Sequence, residues 1–114
     1  MIKTSYFANH RKFPKGVKTV SISRIPPKWA TFDTQELRLA PSKQLLYDYK
    51  YNNLSWADYR KRYWKETLSK LDPVDFSRKY EGCILLCFEK PEDHCHRDIV
   101  RDWLKWSGIE SEEL

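Results

Sequence analysis

The first third of the chain alternates apolar and polar side chains in two short segments, a pattern typical of β-strands. Residues 2–8, IKTSYFA, are rich in strand-forming residues, and residues 17–23, VKTVSIS, alternate with a period of two. Pro14 and Gly16 interrupt the pattern between them, as in a loop. The sequence therefore predicts two strands joined by a short connection.

The segment from residue 24 to residue 42 shows no regular periodicity. Its three prolines, Pro26, Pro27 and Pro41, argue against a helix or a central strand. Irregular segments of this length in compact domains are often functional. We therefore expect a long loop, with its proline-rich part (residues 26–29) lying over a site.

Three segments with helical spacing follow. Residues 42–51 begin with Ser42, and residues 54–71 have Ser55 as their second residue; both serines can cap a helix. Residues 72–82 carry a proline in their first turn. In the second of these helices, aromatic residues at helical spacing form a stripe that we expect to lie in the core rather than against a ligand. That stripe consists of Trp56, Tyr59 and Tyr63.

Residues 83–89, CILLCFE, form a continuous apolar run that indicates a strand buried on both faces. A turn over residues 90–94 and a helix from about Cys95 to Trp106 follow, before a polar, acidic end. Strands that bracket helices and end in a strand–turn–helix unit predict an α/β fold. We expect one domain over residues 1–114: a small three-layer structure with a mostly parallel sheet and helices on both faces.

Composition narrows the class of protein. Aromatic residues make up 15% of the 114 residues, a high share that indicates a core of large side chains or a surface that stacks on planar ligands. No apolar run reaches the length of a membrane span, and the first residues lack the apolar stretch of a signal peptide. These features predict a cytoplasmic protein with no membrane partner. Three cysteines are then expected to stay reduced, without a disulfide framework.

Positive charge is concentrated in the first third of the chain. The formal net charge is +5, and residues 1–40 contain eight basic and two acidic side chains. Such a distribution favours a phosphate-bearing partner, a nucleotide or nucleic acid. The alternative is a solvated basic surface without a nucleic-acid partner.

The strand–turn–helix unit brings polar residues to one rim. Ligands of open parallel sheets bind beyond the carboxyl ends of the strands, where Glu89 ends the buried strand and the last helix begins. Helical spacing directs Cys95 and His96 toward the core. Arg97 is expected to face outward or across the rim.

Four interpretations of this unit remain open. The residues could form a metal site, a reactive thiol at Cys95 with His96 as its base, a carboxylate-centred site at Glu89 with Arg97 holding an anion, or a packed turn in which Glu89 pairs with Arg97. The chain lacks a Cys-x-x-Cys pair, and adjacent helical residues diverge by about 100°. We therefore predict no metal and no cofactor. The ligands in the opposite case would be Cys87, Cys95 and His96.

Several segments together resemble a known family. They are TSYFAN, SISRIPPKW, LAPSKQLLYDYK, YRKRYWKETLSKLDP and LLCFEKPEDHCHRDIVRDWL. The last contains a Cys-x-Glu-(x)5-Cys-His-Arg run formed by Cys87, Glu89, Cys95, His96 and Arg97. The chain resembles the short bacterial and phage proteins of the domain-of-unknown-function 488 (DUF488) family, of which this run is the signature.

The resemblance implies an α/β fold with a parallel sheet, and no settled activity. A comparable strand-end Cys-His turn occurs in proteins similar to nucleoside deoxyribosyltransferases, which favours nucleotide or N-glycoside chemistry by analogy of fold. The family-like segments at the ends of the other strands imply that four more residues lie near the same rim. These are Tyr6, Asn9, Ser23 and Arg24.

Our hypothesis is a protein that binds a phosphate-bearing nucleotide or nucleic-acid end and acts on an N-glycosidic bond. Glu89 would be the acid/base or nucleophile, and Cys95 and His96 would complete the catalytic group, with His96 orienting Glu89. Arg97 and Arg24 would hold the anion, beside Tyr6, Ser23 and Asn9. The alternative hypotheses are a non-enzymatic module that binds nucleic acid or protein through its basic first third, and a Cys/His metal-binding protein.

Overall fold

A computed structural model describes residues 1–90 and 92–114 and shows a five-stranded sheet. Every pair of neighbouring strands is parallel, in the order β3-β2-β4-β1-β5. The strands are β1 (Ile2–Tyr6), β2 (Thr19–Ser21), β3 (Thr34–Gln35), β4 (Ile84–Cys87) and β5 (Ser111–Glu113). The predicted α/β fold with a parallel sheet is confirmed.

Four α-helices lie at the predicted places. They are α1 (Lys43–Tyr51), α2 (Trp56–Glu66), α3 (Pro73–Lys79) and α4 (His96–Trp106). Short 3-10 helices occupy Phe7–Lys12, Leu37–Leu39 and Leu68–Lys70. Within the described residues, no helix combines the length and apolar character that a bilayer crossing requires.

Side-chain caps set the starts of the first three α-helices. The Ser42 hydroxyl accepts a hydrogen bond from the Leu45 N–H at 3.0 Å, and the Ser55 hydroxyl accepts one from the Asp58 N–H at 3.1 Å. Asp72 caps α3 in the same way, just ahead of Pro73. Each cap satisfies backbone donors that have no partner inside the helix, so the starts of α1 and α2 follow from the serines that the sequence analysis identified.

The sheet separates two apolar clusters. Alternation along β4 directs Leu85 and Cys87 to the face covered by the α-helices, and Ile84 and Leu86 to the other face. That second face is covered by Phe7 of the first 3-10 helix and by loop side chains. The α-helices therefore lie on one face of the sheet, and the first 3-10 helix with loop side chains covers the other face, where α-helices were also expected.

Two strands, β3 and β5, were not predicted from the sequence. β3 is only two residues long, and neighbouring bonds such as that from the Glu36 N–H to the Ser21 carbonyl (2.8 Å) hold it beside β2. β5, with the sequence SEE, lies at the edge of the sheet and pairs with β1. Neither has the apolar residues from which a strand is predicted.

The turn predicted over residues 90–94 contains Pro91, which lies outside the described residues. Around it, the Asp93 N–H donates to the Lys90 carbonyl at 3.0 Å. The chain is therefore brought back from the end of β4 to the start of α4 within a few residues. This short return places the end of the central strand beside a helix N-terminus.

A buried carboxylate anchors the loop that precedes α1. Glu36 is 5% exposed and accepts hydrogen bonds from the Arg38 guanidinium (2.9 Å) and the Tyr80 hydroxyl (2.5 Å). The bonds from Arg38 lower the pKa of Glu36 to about 2; burial opposes this shift, and the Tyr80 bond adds to it. The charged form of Glu36 therefore stabilises the fold.

We expect the stability conferred by Glu36 to depend on pH. Because its pKa is lower in the folded than in the unfolded chain, folding favours the deprotonated form and the contribution is lost in acid. Compared with Glu36→Gln, the native chain should be more stable by up to about 3 kcal/mol at pH 6. This difference should decline below about pH 4.5 and vanish near pH 2. Urea unfolding at a series of pH values would measure it, and a difference independent of pH would contradict the expectation.

Candidate functional site

A cleft of about 450 Å³ lies at the carboxyl ends of β2 and β4, beside the start of α4. We call it the strand-end cleft. Its floor is formed by Cys87, Cys95 and His96, and one rim by Glu89 and Arg24. The opposite wall comes from α1 and α2 and is mostly aromatic. The position beyond the strand ends is the one expected for ligands of a parallel sheet.

The aromatic wall continues a stack of rings that begins in the core. Tyr63 and Tyr59 stack with centroids 6.4 Å apart, Tyr59 and Trp56 at 5.1 Å, and Trp56 and His94 at 4.5 Å. Tyr63 is fully buried, as the sequence analysis expected. Tyr59 and Trp56 also line the cleft, so the stripe assigned to the core extends to the wall of the cleft.

The floor brings together two sulfurs and an imidazole. Cys87 and Cys95 are joined as a disulfide, which corrects the expectation that no cysteines pair, and Cys83 is free. The His96 Nδ1 atom lies 3.6 Å from the Cys95 sulfur. Cys95 and His96 both point inward, as predicted.

The Cys95 and His96 side chains are not separated by the helical divergence that was expected to prevent a shared metal site. α4 begins at His96, and Cys95 precedes it as an N-cap with extended backbone (φ −141°, ψ 149°). Adjacent side chains diverge by about 100° only when both are helical. The three potential ligand atoms of Cys87, Cys95 and His96 lie within 4.8 Å of one another.

His96 is held by the neighbouring strand. Its Nε2 atom lies 2.7 Å from the Ile22 carbonyl, which assigns the ring proton to Nε2 and leaves the Nδ1 lone pair directed at Cys95. Burial lowers the pKa of His96 to about 4; the bond to Ile22 opposes this shift, and the nearby Arg97 charge adds to it. The prediction that His96 orients Glu89 is wrong, because its two ring nitrogens meet Ile22 and Cys95 instead.

Glu89 lies on the rim as a half-buried carboxylate. Burial raises its pKa, the Asp93 charge adds to this shift, and the Arg97 charge opposes it. Within the described residues, its carboxylate has no cationic side chain within 4.0 Å. Arg97 contacts the backbone of Glu89 instead of the predicted carboxylate: its Nη1 donates to the Glu89 carbonyl at 2.6 Å. The Glu89 carboxylate is therefore left facing the cleft.

Arg97 is fully buried, so the prediction that it faces the rim is wrong. Its Nε and Nη2 groups donate to the Glu113 carboxylate at 2.9–3.1 Å. Its Nη1 lies 3.0 Å from the Cys87 sulfur. The cause is β5, the unpredicted strand, which supplies Glu113 as an internal acceptor.

Of the four residues taken from the family-like segments, two line the cleft and two do not. Ser23 and Arg24 line the cleft, and the Arg24 Nε donates to the Pro41 carbonyl at 2.8 Å. Tyr6 does not line the cleft, and its ring centroid lies 5.8 Å from the Arg97 guanidinium carbon. The buried Asn9 side chain donates a hydrogen bond to the Ser5 hydroxyl. Tyr6 ends β1 and Asn9 follows it, whereas the cleft lies at the ends of β2 and β4.

α1 contributes residues to the cleft that were not predicted from the sequence. This helix brings Lys43, Lys50 and three tyrosines to the cleft, and Phe88 is exposed at its edge. The segment YDYKY, residues 47–51, carries a signal, since its tyrosines and lysine fall on more than one face of the helix. One core-facing stripe does not need aromatics on several faces.

Comparison with known proteins gives one finding about this chain. No curated protein and no solved structure matches it. The family model DUF488-N3a, described as the active DUF488-N3 subclade, matches residues 5–108. The matched span contains Cys87, Glu89, Cys95, His96 and Arg97, and it covers most of the chain. The chain therefore belongs to the DUF488-N3a family, as its resemblance to DUF488 proteins predicted.

Proposed function

We propose that the strand-end cleft binds a nucleotide or a nucleic-acid end and that Glu89 acts there on an N-glycosidic bond. The observation that carries the proposal is the joint presence of stacked aromatic faces, basic side chains and a single carboxylate in one cleft. Its volume, about 450 Å³, falls within the range of small-molecule sites. A nucleoside phosphate needs all three kinds of contact.

The aromatic wall suits a nucleobase. Trp56 lines the cleft, and Tyr47, Tyr51 and Phe88 are more than half exposed near the opening. Stacking of a base on an aromatic side chain contributes about 1–3 kcal/mol and tolerates any base. The wall therefore supports binding of a planar ring without fixing which base is bound.

The basic side chains suit a phosphate. Arg24, Lys43 and Lys50 surround the cleft, and both lysines are exposed. The N–H groups of Arg97 are directed at the Glu113 carboxylate, the Cys87 sulfur and the Glu89 carbonyl. The anion-holding role therefore falls to Arg24, Lys43 and Lys50. Exposed lysines attract phosphates electrostatically, so this contact should weaken as salt rises.

Glu89 suits transfer chemistry at an anomeric carbon. It is the only Asp or Glu among the described residues that line the cleft. A lone carboxylate can attack the anomeric carbon while the C–N bond breaks and its electron pair leaves with the base. Water or an acceptor hydroxyl would then displace the carboxylate. The description of the family as an active subclade supports an enzyme.

Ligand binding should depend on the lysines of α1. We expect nucleoside monophosphates or short single-stranded oligonucleotides to raise the melting temperature and to release free base, detected by chromatography. The double variant Lys43→Glu, Lys50→Glu should weaken binding by at least about tenfold by removing the attraction for phosphate. Absence of both a melting shift and released base across the panel would disprove the proposal.

The basic first third provides the matched control. Lys12, Lys15 and Lys18 are exposed, and Lys18 directly precedes β2, at the strand ends opposite the cleft. Charge reversal at these three lysines should leave nucleotide binding unchanged. If it abolishes binding while the α1 double variant does not, the protein is the non-enzymatic binder of the alternative hypothesis.

A further inference from the structure

We propose that, with its thiols reduced, the floor of the strand-end cleft binds a divalent cation of the zinc type through Cys87, Cys95 and His96. The ion would have three protein ligands and one coordination position open to the cleft. The site is defined by its donor atoms and their surroundings. It goes beyond the proposed nucleotide chemistry and stands without it.

The donor atoms have suitable chemistry and spacing. Two thiolates and an imidazole are ligands that Zn²⁺ prefers, at bond lengths of about 2.3 Å to sulfur and 2.0 Å to nitrogen. Two such ligands in tetrahedral arrangement lie about 3.5 Å apart. The Cys95 sulfur and the His96 Nδ1 atom are 3.6 Å apart, and all three donor atoms fall within 4.8 Å of one another. The two sulfurs are bonded to each other in the structure and would separate on reduction to bind the ion.

In the reduced protein, the backbone spacing of Cys87 and Cys95 suits two ligands of one ion. The Cα atoms of Cys87 and Cys95 are 7.3 Å apart, whereas disulfides usually join Cα atoms about 4.4–6.8 Å apart. Cys87 ends the central strand and Cys95 caps a long helix, so both positions are fixed by regular structure. In the reduced protein, two sulfurs presented from this distance leave room for an ion between them.

Neighbouring groups prepare each ligand. The contact between the His96 Nε2 and the Ile22 carbonyl (2.7 Å) is the outer hydrogen bond that metal-binding histidines usually make, and it aims Nδ1 at the sulfurs. The Arg97 guanidinium lies 3.0 Å from the Cys87 sulfur, and Cys95 lies at the N-terminus of α4, so both sulfurs lie beside positive charge. Thiolates are the form that binds metal.

The open side of the site faces the proposed substrate. All three residues line the cleft, so a fourth ligand would have to come from water or a bound molecule in the cavity. Three protein ligands with one open position are typical of catalytic zinc, whereas structural zinc is usually enclosed by four protein ligands. This arrangement therefore indicates that the ion would act on molecules in the cleft rather than stabilise the fold.

Cobalt titration tests the site without any nucleotide. Full-length protein, reduced and stripped with a chelator, should bind about one Co²⁺ and show thiolate-to-metal charge-transfer bands with the strong visible bands of tetrahedral cobalt. Zn²⁺ should displace the cobalt. Thiol counting on the native chain should give three reactive thiols without metal and one, Cys83, with Zn²⁺ bound.

Two variants give the comparison. Cys87→Ser should weaken Zn²⁺ binding at least about 100-fold, since loss of only an outer partner already costs about 10–100-fold. Cys83→Ser should bind as the native chain does. No cobalt bands in the reduced native protein, or equal loss in both variants, would overturn the proposal. A Cys87–Cys95 bond that persists under reductant would overturn it too, and none of these results bears on the base-release assay.

Discussion

Replacing Glu113 with glutamine should lower the free energy of unfolding by about 3–5 kcal/mol, the usual cost of leaving a buried charge without its partner. The Glu113 carboxylate accepts three hydrogen bonds from the fully buried Arg97 and a fourth from Arg101 at 2.9 Å. Thr4 donates to it as well, at 2.6 Å. Glutamine keeps the shape but removes the charge and turns N–H groups toward a guanidinium.

The adjacent residue supplies the control for this variant. Glu112 is exposed, and its carboxylate meets Lys3 at 3.5 Å on the surface. Exposed pairs contribute about 0–1 kcal/mol, so Glu112→Gln should be nearly neutral. Urea unfolding of both variants decides the question. Similar losses in the two would mean that the Arg97–Glu113 pair does not stabilise the fold as its burial indicates.

Glu89→Gln should slow release of base by about 10²–10⁴-fold while nucleotide binding and melting temperature stay close to native values. Glutamine fills the same space but is neither a nucleophile nor a base. The Glu89 carboxylate has no ion-pair partner within 4.0 Å among the described residues, so the fold has little to lose. This expectation rests on the proposed function. It is measured as the single-turnover rate, with binding measured separately from tryptophan fluorescence.

Glu92→Gln is the matched control for Glu89→Gln. Glu92 is exposed in the turn after β4 and does not line the cleft. It should keep full activity. Undiminished base release by Glu89→Gln would remove Glu89 from the chemistry and leave the ligand-binding part of the proposal to be judged by the lysine variants.

Features that depend on neighbouring residues were predictable from the sequence. The starts of α1 and α2 follow from Ser42 and Ser55, because a cap bonds to the backbone only three residues ahead. The meeting of Glu89 with Cys95 and His96 could be predicted for the same reason, since a short turn connects the strand to the helix. Such contacts leave their signal within one stretch of chain.

Features that depend on distant packing were not predictable. The burial of Arg97 requires β5, whose sequence SEE has no apolar residue, to pair with β1 about 110 positions earlier. The aromatic wall of the cleft requires α1 to pack beside α2, which periodicity within either helix does not encode. Cys95 caps α4 instead of belonging to it, a local detail that removes the predicted divergence of the Cys95 and His96 side chains.

The strand order also governs how the chain can fold. β4 is central, with Ile84 in register with both Lys3 of β1 and Thr19 of β2, and within the described residues these two early strands pair with β4 rather than with each other. The sheet can therefore form only when β1 and β2 pair with residues some 65 to 80 positions later in the chain. Pairings this distant in sequence make folding slow. During synthesis, the unpaired edges of β1 and β2 should stay accessible to chaperones until the last third of the chain has left the ribosome.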